Sequence, residues 1–173
     1  MPDFRRASLA LALSAAMLAL GSCRDSSSDS ERFKLAGRLF VFNYRVATAT
    51  YLVNLEPLGP VEDGQTAVAT FEDPAGGDPI VVRRKIWPKM ARTTIESPPI
   101  RCVVKNRPYA VSVAIEDASG KVVQTLTTTM KSDVDQTVLP DVPLVVGSGY
   151  TPNPALAGHP GGRISGVNTD CPA

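Results

Sequence analysis

The chain predicts an all-β fold: an antiparallel β-sandwich of about seven or eight strands, Ig-like or transthyretin-like in kind. Three observations carry that prediction. Apolar residues recur with period two in short, β-branched runs. Clusters of Pro, Gly, Asp and Ser separate the runs as turns do. No stretch shows an amphipathic helical repeat of three turns.

Taken in order, Phe33, Leu35, Leu39 and Val41 alternate with polar residues and predict a first half-buried strand. The run from Thr48 to Leu55 sets Tyr51, Val53 and Leu55 on one face, and Pro57 and Pro60 end it, since proline cannot donate to a ladder. Glu62-Asp63-Gly64 is a turn, and Thr66 to Phe71 a third strand. After the dense turn cluster 73–79, Ile80 to Ile86 is β-branched and basic, and Pro88 stops it. Pro98-Pro99 break the chain again before a run from Ile100 to Val104. Tyr109 to Ile115 alternates strictly, Asp117-Ala118-Ser119-Gly120 supplies a tight turn, and Lys121 to Met130 returns: a β-hairpin. Val138 to Val146, interrupted by Pro140 and Pro143, reads as a last strand at a sheet edge.

The N-terminal segment carries a different signal. Arg5 and Arg6 precede an uncharged run of Ala, Leu, Ser and Met from Ala7 to Leu20, the n- and h-regions of a secretory signal peptide. The run is short of the roughly 20 residues a membrane-spanning helix needs. Leu20-Gly21-Ser22-Cys23 follows, with small residues ahead of a thiol. This resembles the lipobox of bacterial lipoproteins, and the resemblance implies that Cys23 is acylated, palmitate included, and heads the mature chain. The plainer reading is an ordinary cleaved signal with a stray Cys near the cut. Arg24, rather than Asp, after the Cys favours the periplasmic face of the outer membrane by analogy, with the inner membrane as the alternative. The expected organisation is a signal peptide over 1–22, a lipidated Cys and flexible tether over 23–32, a sandwich over 33–146 and an irregular tail over 147–173.

Removal of Arg5, Arg6 and Asp3 from 18 basic and 17 acidic residues leaves 16 of each. A balanced chain has no global field to recruit nucleic acid. With Cys23 lipidated, Cys102 and Cys171 remain, and an oxidising compartment predicts a bond between them. The alternative is a buried free Cys102 and a loose tail thiol.

A catalytic constellation is not legible. The single histidine, His159, lies in the tail without a partner at motif spacing. Neither zinc-ligand spacing nor a nucleotide-binding glycine motif occurs, so no cofactor or metal is expected. Glu72, Asp73 and Asp78 flank a Gly-rich turn but lack the ordered ligand pattern of a calcium loop. Arg83-Arg84-Lys85 with Trp87, Lys89 and Arg92 is the one basic, partly aromatic patch. On a strand Arg83 and Lys85 face one way and Arg84 the other. The patch is either edge protection against sheet-to-sheet pairing or a contact for an anionic partner. Trp87 is expected as a core or rim anchor ahead of a sugar-stacking platform.

The segment from Arg107 to Asp117, Gly120 and the Thr-rich return strand resembles the YscW/YbaY-type envelope lipoproteins, some of which are pilotins of type III secretion. Tyr109, Val111, Ile115, Asp117 and Gly120 match their Tyr-x-Val-x-x-x-Ile-x-Asp strand and Gly turn behind a lipobox. The match covers about residues 98–146 and the signal, and the tail with Cys171 has no counterpart. The resemblance implies a β-sandwich and an assembly role. The function expected is therefore a lipid-anchored, non-enzymatic envelope protein that binds or supports another envelope component. The rival readings are a glycan-binding module using Trp87, Tyr44, Tyr51 or Tyr109, and an enzyme with a dispersed site.

Overall fold

The computed structural model describes residues 31–164 and Cys171. Seven strands build two antiparallel sheets. One contains β1 (Phe33–Asn43), β2 (Thr48–Pro57) and β5 (Thr93–Glu96) in the order β1-β2-β5. The other contains β3 (Thr66–Phe71), β4 (Ile80–Lys85), β6 (Tyr109–Glu116) and β7 (Val122–Met130) in the order β4-β3-β6-β7. The chain changes sheet after β2, β4 and β5, which is the Greek-key connectivity of the Ig-like kind. A separate two-stranded ribbon, β8 (Val145–Val146) with β9 (Thr151–Pro152), follows the sandwich.

Alternation builds the core. Ala49, Tyr51, Val53 and Leu55 of β2 face Ala67, Ala69 and Phe71 of β3 and Tyr109, Val111, Val113 and Ile115 of β6, all buried in one cluster. Rings tie the two sheets together: Tyr51 stacks on Phe71 at 5.0 Å, and Phe40 meets Tyr109 edge-on at 5.7 Å. Both tyrosines find partners for their hydroxyls. Tyr51 Oη donates to the Glu72 carbonyl at 2.9 Å, and Tyr109 Oη accepts the Val104 N–H at 2.8 Å. The second is a tyrosine corner, the device that closes the turn into the sixth strand of Ig-like sandwiches.

Four sequence expectations change. A bulge at Ala36 shifts the β1 register between Leu35↔Leu55 and Gly37↔Asn54. The extra residue reverses the parity, so Phe40 and Phe42 pack on the core while Leu39 is 48% exposed. Leu39 and Val41 were expected on the buried face; they lie on the outer one. Thr93 to Glu96 forms β5 although Pro88 and Pro98-Pro99 close in on both sides, because Thr93 and Ile95 gain burial against β2. Ile100 to Val104 is not a strand beyond a single bridge from Ile100 to Ala49. Val138 to Val146 is not an edge strand either. A 3₁₀ turn at Gln136–Val138, capped by Asp135, and the two prolines leave only Val145–Val146 in the small ribbon.

The β6–β7 hairpin forms as expected. Gly120 has φ +86, and Asp117 Oδ1 accepts from the N–H groups of Ser119 and Lys121 and from the Ser119 hydroxyl. Cys102 is bonded to Cys171 across 69 residues, with their Cα atoms 5.3 Å apart. That bridge ties the end of the tail back to the β5–β6 connection.

Candidate binding edge and basal loop

β4 is an outer strand: among the described residues it pairs with β3 and nothing else. Its register places Arg83 opposite Val68 and Lys85 opposite Thr66 on the outer face, with Arg84 opposite the buried Ala67 on the core-side face. The sequence-derived parity is therefore the observed one. The β-branched half of the strand is open on its outer face, where Val81 is 58% exposed, while Ile80 and Val82 pack against the core.

The three cations have different surroundings. Arg83 reaches diagonally across β3 and forms an ion pair with Glu116 of β6. Lys85 lies 3.9 Å from Asp63 and 4.1 Å from the centre of the Trp87 ring. Arg84 has no carboxylate partner among the described residues. Trp87 is 52% exposed, so a core position is overturned. Pro88 and the adjoining turn carry its ring outward, and only Ile86 ahead of it is buried.

The loop after β4 lies at the end of the sandwich where the described chain begins; this end is called the base. Phe33 pairs with Pro57 there, the Leu58 N–H donates to the Arg32 carbonyl at 2.8 Å, and Ile86 N–H donates to Gln65 at 2.9 Å. Glu56 joins the two neighbourhoods, with Lys34 at 3.0 Å and Arg92 at 3.6 Å. Lys34 chiefly, and Arg92 in addition, hold the Glu56 carboxyl below the ordinary carboxylate range.

Other candidates separate. Tyr51 and Tyr109 are fully buried, and desolvation pushes the Tyr51 phenol far above its usual range. They are structural and offer no surface for stacking. Tyr44 is exposed, but it follows β1 at the end opposite the base, so it cannot share a platform with Trp87. His159 is exposed beside an open cleft of about 400 Å³ lined by Leu144, Pro152 and Leu156. No group of three or more metal-ligating side chains comes together among the described residues. Glu72 and Asp73 are used internally: Glu72 binds Arg107 and the Ala110 N–H, and Asp73 caps the Ala75 N–H. Cys23 lies outside the described residues.

Sequence reasoning missed the grouping at the base. Its signal was available in the strand order, since an even number of crossings returns the β4–β5 loop to the end where β1 starts. No helix among the described residues is long and apolar enough to cross a membrane.

Comparison with known proteins adds little. No family model matches the chain, and no curated protein does. A solved endonuclease/exonuclease/phosphatase from Beutenbergia cavernae is similar at 13% identity over 56% of this chain and 27% of that one, with a TM-score of 0.29. At that level neither its fold nor its activity carries over.

Proposed function

We propose that this is a lipid-anchored, non-enzymatic β-sandwich of the bacterial envelope that binds or supports another envelope protein, an assembly-factor or pilotin-like role. The anchor is the lipid on Cys23, and the outer membrane, periplasmic face, is the compartment. The observation that carries the binding half is the open edge of β4, whose backbone pairs on one side only among the described residues while Val81 stands exposed on it. An extended partner segment can add to such an edge, with main-chain hydrogen bonds supplying affinity and the side-chain pattern supplying selectivity. The charges on the same strand discourage indiscriminate pairing with a second copy. A glycan module is the second reading, favoured by exposed Trp87. It is weakened by the lack of a neighbouring exposed ring at that end among the described residues, and by Lys85 over the Trp87 ring.

The test places a photo-crosslinking residue at Val81 in the lipidated protein within its native envelope, with a Cys23→Ser strain as control. One dominant crosslinked protein, lost in the control, is the expected result. Crosslinks that are absent or spread over many proteins overturn the edge-binding reading.

A further inference from the structure

We propose that the loop 86–92 is a second membrane contact, seating Trp87 and Met90 at the headgroup level of an anionic bilayer. The inference rests on the reading of Cys23 as a lipid anchor and adds a docked orientation to it. Trp87-Pro88-Lys89-Met90 is a β-turn, closed by the Met90 N–H donating to the Trp87 carbonyl at 3.0 Å, with Pro at the position that favours such turns. The turn brings the ends of the tetrapeptide together, and both end residues, Trp87 and Met90, are 52% exposed. Leu58 and Val122, at 47% and 49%, are the other large apolar side chains exposed at the base among the described residues. Tryptophan prefers the membrane interface because its ring is apolar and its N–H polar.

The charges match an anionic surface. Most carboxylates at the base are engaged within the protein: Glu56 with Lys34 and Arg92, Glu62 with Arg32, and Asp63 with Lys85, whereas exposed Glu31 has no ion pair among the described residues. Asp117 is turned into its own hairpin, accepting from Ser119 and Lys121. Lys89, Arg84 and Lys121 have no ion pair among the described residues, against Glu31 and Asp117 on the acidic side, so the unpaired charge of the described residues at this end is positive by one. Each such cation near an anionic leaflet strengthens association by about fivefold.

Chain length favours the base over the opposite end. The segment from Cys23 to Glu31 is nine residues, which reach at most about 30 Å. Strands β1 and β6, at 11 and 8 residues, make the sandwich roughly 25–35 Å tall at about 3.3 Å per residue. The base meets the bilayer with tether to spare, whereas the far end would need nearly all of it.

Trp87 is the only tryptophan in the chain, so its fluorescence reports on this loop alone. The lipidated protein is reconstituted into vesicles of phosphatidylethanolamine and phosphatidylglycerol containing a lipid brominated high on its acyl chain. The expected result is emission roughly halved by the bromolipid, as for a ring held at the interface. Lys89→Gln should weaken that quenching by about fivefold in the loop's bound-to-free ratio. Protein that floats with the vesicles while Trp87 is quenched by iodide and untouched by bromolipid overturns the loop contact and leaves the anchor standing. A mass that shows no lipid on Cys23 overturns the anchor and the docked orientation with it. Loss of iodide quenching only when envelope polysaccharide or a protein extract is added assigns the loop to that partner instead, and overturns the membrane contact.

Discussion

Tyr109 shows how one hydroxyl can organise a corner. Its ring is fully buried and its oxygen satisfies the Val104 N–H, two residues after the disulfide-bonded Cys102. Tyr109→Phe leaves that amide without its partner, at a cost of about 1–3 kcal/mol. Urea denaturation should show the loss as a lower midpoint with an unchanged slope; an unchanged midpoint would refute the corner. Asp117 offers a second residue-level prediction. Hydrogen bonds from the Ser119 side chain, then from the Lys121 and Ser119 backbone, hold its carboxyl below the usual range. A depressed folded-state pKa means its stabilising contribution is complete above about pH 4, its unfolded value, and fades as pH falls through the lower folded value. Thermal melts of the Asp117→Asn variant should therefore lose less stability on acidification than the parent; parallel curves would count against it.

At the scale of elements, β1 is the strand whose sequence misleads. Period two holds on either side of Ala36 but with opposite phase, and the change of phase is a bulge. Deleting Ala36 restores a regular ladder and forces Phe33 and Leu35, or else Phe40 and Phe42, onto the outer face. Expulsion of Phe33 alone, now 2% exposed, should cost about 3 kcal/mol or more. A deletion variant as stable as the parent in chemical denaturation would show that the bulge is dispensable. Hairpin β6–β7 is the opposite case. Its alternation, turn residues and Gly at positive φ all agree, and its place was legible except for the bulge at Val123, where the register shifts between Ile115 and Glu116. Short β5 was illegible because four residues between prolines carry too little periodicity, and only pairing with β2 makes them a strand.

For the molecule as a whole, the disulfide closes a 69-residue separation, and the chain-entropy model assigns such a loop about 4 kcal/mol. Free-thiol labelling of Cys102 and Cys171 in the unfolded protein should fail until reductant is added, and reduction should lower the denaturation midpoint. Labelling without reductant would refute the bridge. Among the described residues the segment after β7 adds no strand to either sheet, and the Asp141–Arg163 ion pair at 3.0 Å and the Leu144 N–H to Arg45 carbonyl bond at 2.9 Å hold it beside the β1–β2 turn.

By itself the sequence determined what depends on near neighbours along the chain. Alternation, proline punctuation and turn chemistry specify most strands, the buried face of β2, β3 and β6, and the split of Arg83 and Lys85 from Arg84. It also bore on the pairing of Cys102 with Cys171 through compartment and count. Only the tertiary structure decided which strands lie at edges and which tyrosines are spent in the core. Those facts depend on strand order and register, set by packing between residues far apart in the chain, and local periodicity carries no record of which distant strand a segment will pair with.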